Sequence, residues 1–124
     1  AEREVVRPED LLGERLIGWT VSVSARRIFD DIMQGAGIIP QQLTETTMSA
    51  PMCSMVKRGL GLAVVDPFTA WANRDPSIVF RPFLPQIPCR FALLEPDTRT
   101  PTVLATELLG HAETLRDEVL AGMG

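Results

Sequence analysis

The amino-acid sequence predicts an α/β fold in which helices flank a mainly parallel β-sheet. Short apolar runs typical of buried strands alternate with segments whose apolar residues recur at helical spacing, in the order β-α-β-α-β-α-β and then β-α. Prolines and glycines separate many of these segments. A length of 124 residues and a hydrophobic content of 45% are typical of one globular domain.

The first half of the chain contains two strand-to-helix steps. Residues 16–19 predict a buried strand, and residues 28–33 carry apolar positions at helical spacing. Either Ser22 or Ser24 can cap that helix, and the glycines at 35 and 37 end it. Residues 43–47 have the β-branched content of a second strand.

The next segment predicts a second helix, a third strand and a third helix. Ser49 can cap the second helix, and Gly59 stands where a left-handed C-terminal cap belongs. Residues 62–65 form a continuous apolar run, as expected for a strand covered on both faces. Asp66 and Pro67 then occupy the N-cap and first positions of a short helix.

The last part of the chain predicts two more strands and a long helix. The strands are residues 78–80 and 91–94, and the helix spans about 101–120. The proline-rich stretch 81–88 separates the last strand and helix from the rest, and we interpret it as a hinge that crosses into a neighbouring lobe. Most of that lobe would lie outside this chain. We therefore expect the apolar face of the long helix to pack against the rest of the chain or another copy of it.

Charge and cysteine content exclude several classes of function. Twelve basic and sixteen acidic residues give a net charge of −4, which does not attract phosphate backbones. Cys53 and Cys89 are far apart in the sequence and predict reduced thiols. A zinc site or a Ser-His-Asp triad would depend on His111, the single histidine. We therefore expect no catalytic residue, metal or cofactor.

Three further sequence features bear on the function. No apolar run approaches the roughly 20 residues of a membrane helix, so we expect no membrane partner. The chain begins without Met or a signal-peptide pattern, and we expect it to be a segment of a longer protein. Residues 59–61 form a Gly-x-Gly fragment, but it follows a helix and precedes a strand, the reverse of the dinucleotide-binding order.

Three strand-to-helix junctions are the candidate functional site. They lie at residues 19–24, 46–49 and 66–67, and the first two are rich in hydroxyl groups. In an open α/β sheet ligands bind outside the carboxyl ends of the strands, and helix N-termini with nearby hydroxyls favour a carboxylate. The pattern predicts a pocket for a small anion or zwitterion.

Simpler roles for these residues stay open. Ser22, Ser24 and Ser49 could serve only as helix caps, and Trp19 could belong to the core instead of forming an apolar wall of the pocket. Met48 stands at the second junction, where it could touch a ligand, although methionines at helical spacing are more often core residues.

Several motifs resemble one family of proteins. Residues 10–17, DLLGERLI, resemble the DL-x-G-x-x-L-I entry into the second lobe of LysR-type transcriptional regulators. Residues 37–40, GIIP, followed by Glu45, resemble the family's aGxxP…E step. Residues 56–65, VKRGLGLAVV, are similar to its V-x-x-GLG-[VI]-A-x-[VL]-P segment. Asp66 before Pro67 is a variation associated with the amino-acid- and opine-sensing members.

The resemblance implies a fold like type 2 periplasmic binding proteins, with a metabolite bound between two lobes. Residues 1–84 would form the second lobe, and residues 85–124 the hinge crossing, strand and helix that return to an incomplete first lobe. Such regulators are bacterial and cytoplasmic, and they bind operator DNA as dimers or tetramers. The winged helix-turn-helix that contacts DNA is absent from this chain. The implied effector is an amino acid or a related carboxylate.

The resemblance also implies which residues bind the effector. They stand at the three junctions already selected, namely Trp19, Thr20, Ser22, Thr47, Met48, Ser49 and Pro67.

Two other functions are alternatives to a regulator. A solute-binding component of a transport system would have the same fold, although the GLG-x-A-x-x-DP string and the reduced cysteines argue against it. A hydrolase or transferase fragment ranks last because the sequence lacks a G-x-S-x-G nucleophile elbow.

Overall fold

The computed structural model of the chain describes residues 3–123. These residues divide into two compact units, of which the first ends at Cys89 and the second begins at Arg90. The first unit holds the sheet and the helices around it, and the second holds one long helix.

The sheet of the first unit has three parallel strands in the order β2-β1-β3. The strands are β1 (Arg15–Trp19), β2 (Gln41–Thr46) and β3 (Leu62–Ala63). The mainly parallel sheet predicted from the sequence is thus confirmed. The third strand is shorter than residues 62–65, because only its first two residues pair with β1.

Helices occupy the connections between the strands. A short 3-10 helix, Pro8–Leu11, precedes β1. The α-helices are α1 (Ser24–Gly35), α2 (Ser49–Lys57), α3 (Pro67–Ala72) and α4 (Val103–Gly122). All four helices lie where the sequence predicts them, with ends that differ by a few residues.

Strand β1 is covered on both faces. Leu16 packs with Phe29 and Met33 of α1, whereas Ile17 and Trp19 pack with Met52 of α2. Because successive side chains of a strand point to opposite faces, α1 and α2 lie on opposite sides of the sheet. The strand order β2-β1-β3 therefore places a topological switch between β1 and β3.

The predicted serine caps are wrong, whereas the predicted aspartate cap is confirmed. Val23 and Met48 are the N-cap residues of α1 and α2, and neither provides a side-chain cap. The hydroxyls of Ser22 and Ser49 have other partners, described below. At α3 the Asp66 carboxylate accepts the Thr69 backbone N–H at 2.8 Å, as predicted.

The two glycines after α2 have different roles. Gly59 has a φ of +74°, and its N–H donates to the Val56 carbonyl oxygen at 2.8 Å, so it forms the predicted left-handed cap. Gly61 lies against the backbone of Arg15, and a side-chain Cβ at Gly61 would overlap the Arg15 carbonyl oxygen.

The strands predicted at residues 78–80 and 91–94 are wrong, since neither segment is a strand in the described part of the chain. A strand needs a neighbour for its backbone N–H and C=O groups, and β-propensity alone does not supply one. Backbone pairing occurs a few residues beyond this first segment. The Val6 N–H donates to the Pro82 carbonyl oxygen, and the Val6 carbonyl oxygen accepts the Leu84 N–H, both at 2.9 Å. In the second segment Leu94 is 91% exposed.

The apolar face predicted for the last helix is largely exposed. Leu104 of α4 is 75% exposed, Leu108 and Leu115 are also exposed, and Val119 is 1% exposed. The association of this face with another copy of the chain therefore stays a prediction. Among residues 3–123, no helix is both long and apolar enough to cross a membrane.

We expect Gly61→Ala to lower the free energy of unfolding by about 1–3 kcal/mol, because the added methyl would force β3 away from β1. The matched control is Gly35→Ala, where the new Cβ meets no heavy atom within 4 Å. In that helical position alanine should stabilise the chain, by up to about 1 kcal/mol. Urea unfolding of the full chain measures both effects, and equal stability of the two variants would contradict the close approach.

Candidate functional site at the carboxyl edge of the sheet

The parallel pairing brings the three predicted junctions to one edge of the sheet. Trp19 at the end of β1 is in register with Thr46 at the end of β2, and Ile17 is in register with Ala63 of β3. The Thr20 backbone N–H donates to the Thr46 carbonyl oxygen at 3.0 Å. The first and second junctions are therefore joined directly by their backbones.

Trp19 joins the same two junctions through its side chain. The residue is 7% exposed, and its indole Nε1 donates to the Ser49 hydroxyl at 3.0 Å. Ser49 is the first residue of α2, so this bond ties the end of β1 to the start of that helix. Trp19 thus belongs to the core and also reaches the candidate site.

The remaining hydroxyls of the two junctions lie nearer the surface. Thr20 and Ser22 form a hydroxyl–hydroxyl hydrogen bond of 2.8 Å, and Ser22 is exposed. Thr47 and Met48 are also exposed, and the Met48 N–H donates to the Thr46 hydroxyl oxygen at 3.2 Å. These four predicted residues lie beside the edge of the sheet, and none of them lines the cavity at the ends of β1 and β3.

A cavity of about 110 Å³ lies at the ends of β1 and β3. Its position coincides with the topological switch between these strands, where open α/β sheets bind ligands. Cavities that enclose a whole small-molecule ligand measure about 300–1,000 Å³, so this cavity is too small to enclose one by itself. Its lining residues are Trp19, Ala25, Val64, Val65, Asp66, Pro67, Phe83, Ile87 and Cys89.

The cavity is apolar apart from a carboxylate and a thiol. Asp66 brings the carboxylate, which accepts the Thr69 N–H at 2.8 Å and the Thr69 hydroxyl at 2.6 Å. Partial burial, and then the negative charge of Asp66, raise the pKa of the Cys89 thiol. The same two causes raise the pKa of Cys53, which is buried in α2. Both thiols therefore stay protonated at neutral pH.

Arg26 anchors the first turn of α1 to the same edge of the sheet. Its guanidinium donates to the Trp19 carbonyl oxygen at 2.5 Å, to Glu45 at 2.8 Å and to both Asp30 oxygens at 2.8 and 2.9 Å. The hydrogen bond with Glu45, followed by that with Asp30, raises the pKa of Arg26, while burial acts in the opposite direction. With these partners, Arg26 fixes the ends of β1 and β2 relative to α1.

Sequence reasoning found only part of the cavity. Of the seven predicted residues, Trp19 and Pro67 line it, and Ser49 is linked to it through the indole of Trp19. Asp66 was predicted as a helix cap and as part of the third junction, but not as a residue that binds the effector. Its place at the third junction was the signal that could have included it. No sequence signal pointed to Phe83, Ile87 or Cys89, because they come from an irregular segment.

The described residues include no group of three or more His, Cys, Asp or Glu side chains arranged to hold a metal ion.

Comparison with protein families identifies the domain. The family model for the LysR substrate binding domain matches residues 1–116. The chain belongs to this family. LysR substrate-binding domains have a periplasmic-binding-protein-like fold, and this result confirms the fold and the family predicted from the sequence motifs.

The relatives of this LysR-family domain are named as regulators. The chain is 29% identical over 113 residues to the transcriptional activator protein LysR of Escherichia coli, which covers 91% of the chain and 36% of that protein. It is 31% identical over 106 residues to the regulatory protein NocR of Agrobacterium tumefaciens and of Agrobacterium fabrum, covering 86% of the chain and 35% of each relative. The chain thus spans about a third of the length of these relatives.

We expect Ser49→Ala to lower the free energy of unfolding by about 1–3 kcal/mol, because the buried Trp19 N–H would lose its acceptor. Ser49→Thr keeps the hydroxyl and should restore most of that stability. The control is Ser22→Ala, which removes a hydroxyl from an exposed position and should change stability by less than about 0.5 kcal/mol. Urea unfolding followed by tryptophan fluorescence compares the three variants. If Ser49→Ala is no less stable than Ser22→Ala, the indole bond contributes nothing.

Proposed function

We propose that this domain is the effector-sensing part of a bacterial LysR-type regulator and binds a small metabolite at the carboxyl edge of its sheet. The observation that carries the proposal is the cavity at the ends of β1 and β3, bordered by Trp19 and Pro67. Family membership and relatives named as regulators support the same role. Those names also favour a binding domain over an enzyme.

We propose that the effector is an amino acid or a related carboxylate. Thr20, Ser22, Thr47, Met48 and Ser49 would contact it from the first two junctions, beside the start of helix α2 and in front of α1. The free N–H groups at a helix start favour an anion, and nearby hydroxyls can complete its hydrogen bonding. The backbone bond between Thr20 and Thr46 supports a shared site, because it keeps the two junctions adjacent.

Since the cavity is smaller than a whole metabolite, the effector would need a second wall. We propose that residues 1–84 form the second lobe of a two-lobed module and that residues 85–124 return toward the first lobe. Effector held between the lobes would then change their relative position. The exposed apolar side chains of α4 support this division, because a helix with such a face normally packs against another element.

We propose that the intact regulator acts in the cytoplasm as a homodimer or tetramer and contacts DNA through a winged helix-turn-helix outside this chain. The net charge of −4 supports DNA contact by another part of the regulator, because an acidic domain does not attract phosphate backbones.

Thr20→Ala and Thr47→Ala in the intact regulator should weaken effector binding by about tenfold to a hundredfold, since each removes a hydroxyl that would bond a charged group. Basal binding to the operator should not change. Calorimetry with the proteinogenic amino acids first identifies the one that binds, and the same amino acid is then titrated into each variant.

The control for this measurement is Thr98→Ala, which truncates an exposed threonine far along the chain from the junctions. If both junction variants bind the amino acid as tightly as the control does, these threonines do not belong to the effector site.

A further inference from the structure

The cavity at the ends of β1 and β3 has an electrostatic character that the hydroxyl-rich junctions do not share. Its walls are apolar side chains, and within the described residues Asp66 is the single lining residue with a formal charge at neutral pH. Arg26, which bonds to the Trp19 carbonyl oxygen at this edge of the sheet, does not line the cavity and also binds Glu45 and Asp30. Among the described residues, the lining thus contains one acidic residue, Asp66, and no basic residue.

From this arrangement we propose that Asp66 recognises a cationic group of the ligand, a primary ammonium or a guanidinium on an apolar stem. The inference rests on the proposed effector-binding role and specifies the ligand that this part of the site takes. The stem would lie against Trp19, Phe83 and Ile87. An anionic group at another position of the ligand would bind near the hydroxyls of the first two junctions.

Hydrogen-bond capacity supports this role for Asp66. Its two carboxylate oxygens have about four acceptor sites, and Thr69 uses one on each oxygen. The remaining acceptor sites can receive N–H donors of a ligand, and charge-assisted hydrogen bonds to a carboxylate are the stronger kind. The two bonds from Thr69 also hold the carboxylate in a fixed orientation, which lowers the entropy cost of recognition.

The thiols near Asp66 add no competing charge. The Cys89 thiol lines the same cavity, and its raised pKa keeps it neutral. An anion entering this cavity would meet an apolar wall and a fixed negative charge, whereas a cation would replace part of its hydration with a carboxylate. The cavity should therefore bind a positively charged group more tightly than an anion.

Asp66 also caps helix α3, and the test must separate the two roles. Asparagine and serine cap helices about as well as aspartate does, so Asp66→Asn and Asp66→Ser remove the charge and retain the cap. The matched control is Asp75→Asn, which removes one negative charge from outside the cavity lining. All variants are made in the full chain with Trp71→Phe, which leaves Trp19 as the single tryptophan.

The probes are n-butylamine, which is an ammonium at neutral pH, n-butanol and butyrate. These molecules have similar size and differ in charge. Binding is followed by the NMR resonance of the Trp19 indole N–H, which reports on the cavity wall. We expect butylammonium to shift this resonance saturably and to bind about tenfold more tightly than butanol or butyrate. In Asp66→Asn and Asp66→Ser its affinity should fall to that of butanol, and in Asp75→Asn it should not change.

Several outcomes would overturn the inference. They are equal binding of butyrate and butylammonium, undiminished butylammonium binding in both Asp66 variants, and the absence of any shift of the Trp19 resonance. Equal binding of butanol and butylammonium would also overturn the inference, because the inference is a preference for a positive charge. Failure of the proposed regulatory role would be recognised separately, by the absence of any amino-acid response in the intact regulator.

Discussion

The parallel pairing of β1 with a strand on each side is the constraint on which the rest of the structure depends. All five of its residues pair with β2 on one edge, Leu16 and Ile17 pair with β3 on the other, and helices cover both of its faces. Because both neighbours run parallel to it, the ends of all three strands reach the same edge of the sheet. The cavity and the hydroxyl-rich junctions are adjacent for this reason alone.

Two polar contacts then fix the shape of that edge. The Arg26 guanidinium holds the Trp19 carbonyl together with Glu45, and its side chain is only 12% exposed. On the opposite face of the sheet, the Trp19 indole donates to Ser49. The Trp19 backbone is thus bonded to a residue of α1, and its side chain is bonded to a residue of α2. A cavity wall that is fixed in this way can discriminate between ligands by shape as well as by charge.

The site divides into two chemically different parts. Hydroxyls and helix starts at the ends of β1 and β2 favour an anion, whereas the apolar cavity with Asp66 at the ends of β1 and β3 favours a cation. A molecule that carries both charges would complement both parts.

The sequence by itself determined the helices, the parallel sheet, the Asp66 cap and the Gly59 stop, because each depends on local periodicity or on the conformation of one residue. Tertiary structure decided the rest. The apolar runs at residues 78–80 and 91–94 are not strands, because a strand requires a partner that local sequence cannot supply. Ser22 and Ser49 do not cap their helices, because hydroxyls at 20 and an indole at 19 are nearer partners in space. The cavity takes Phe83, Ile87 and Cys89 from more than sixty residues beyond β1, and only folding of the chain brings them to Trp19.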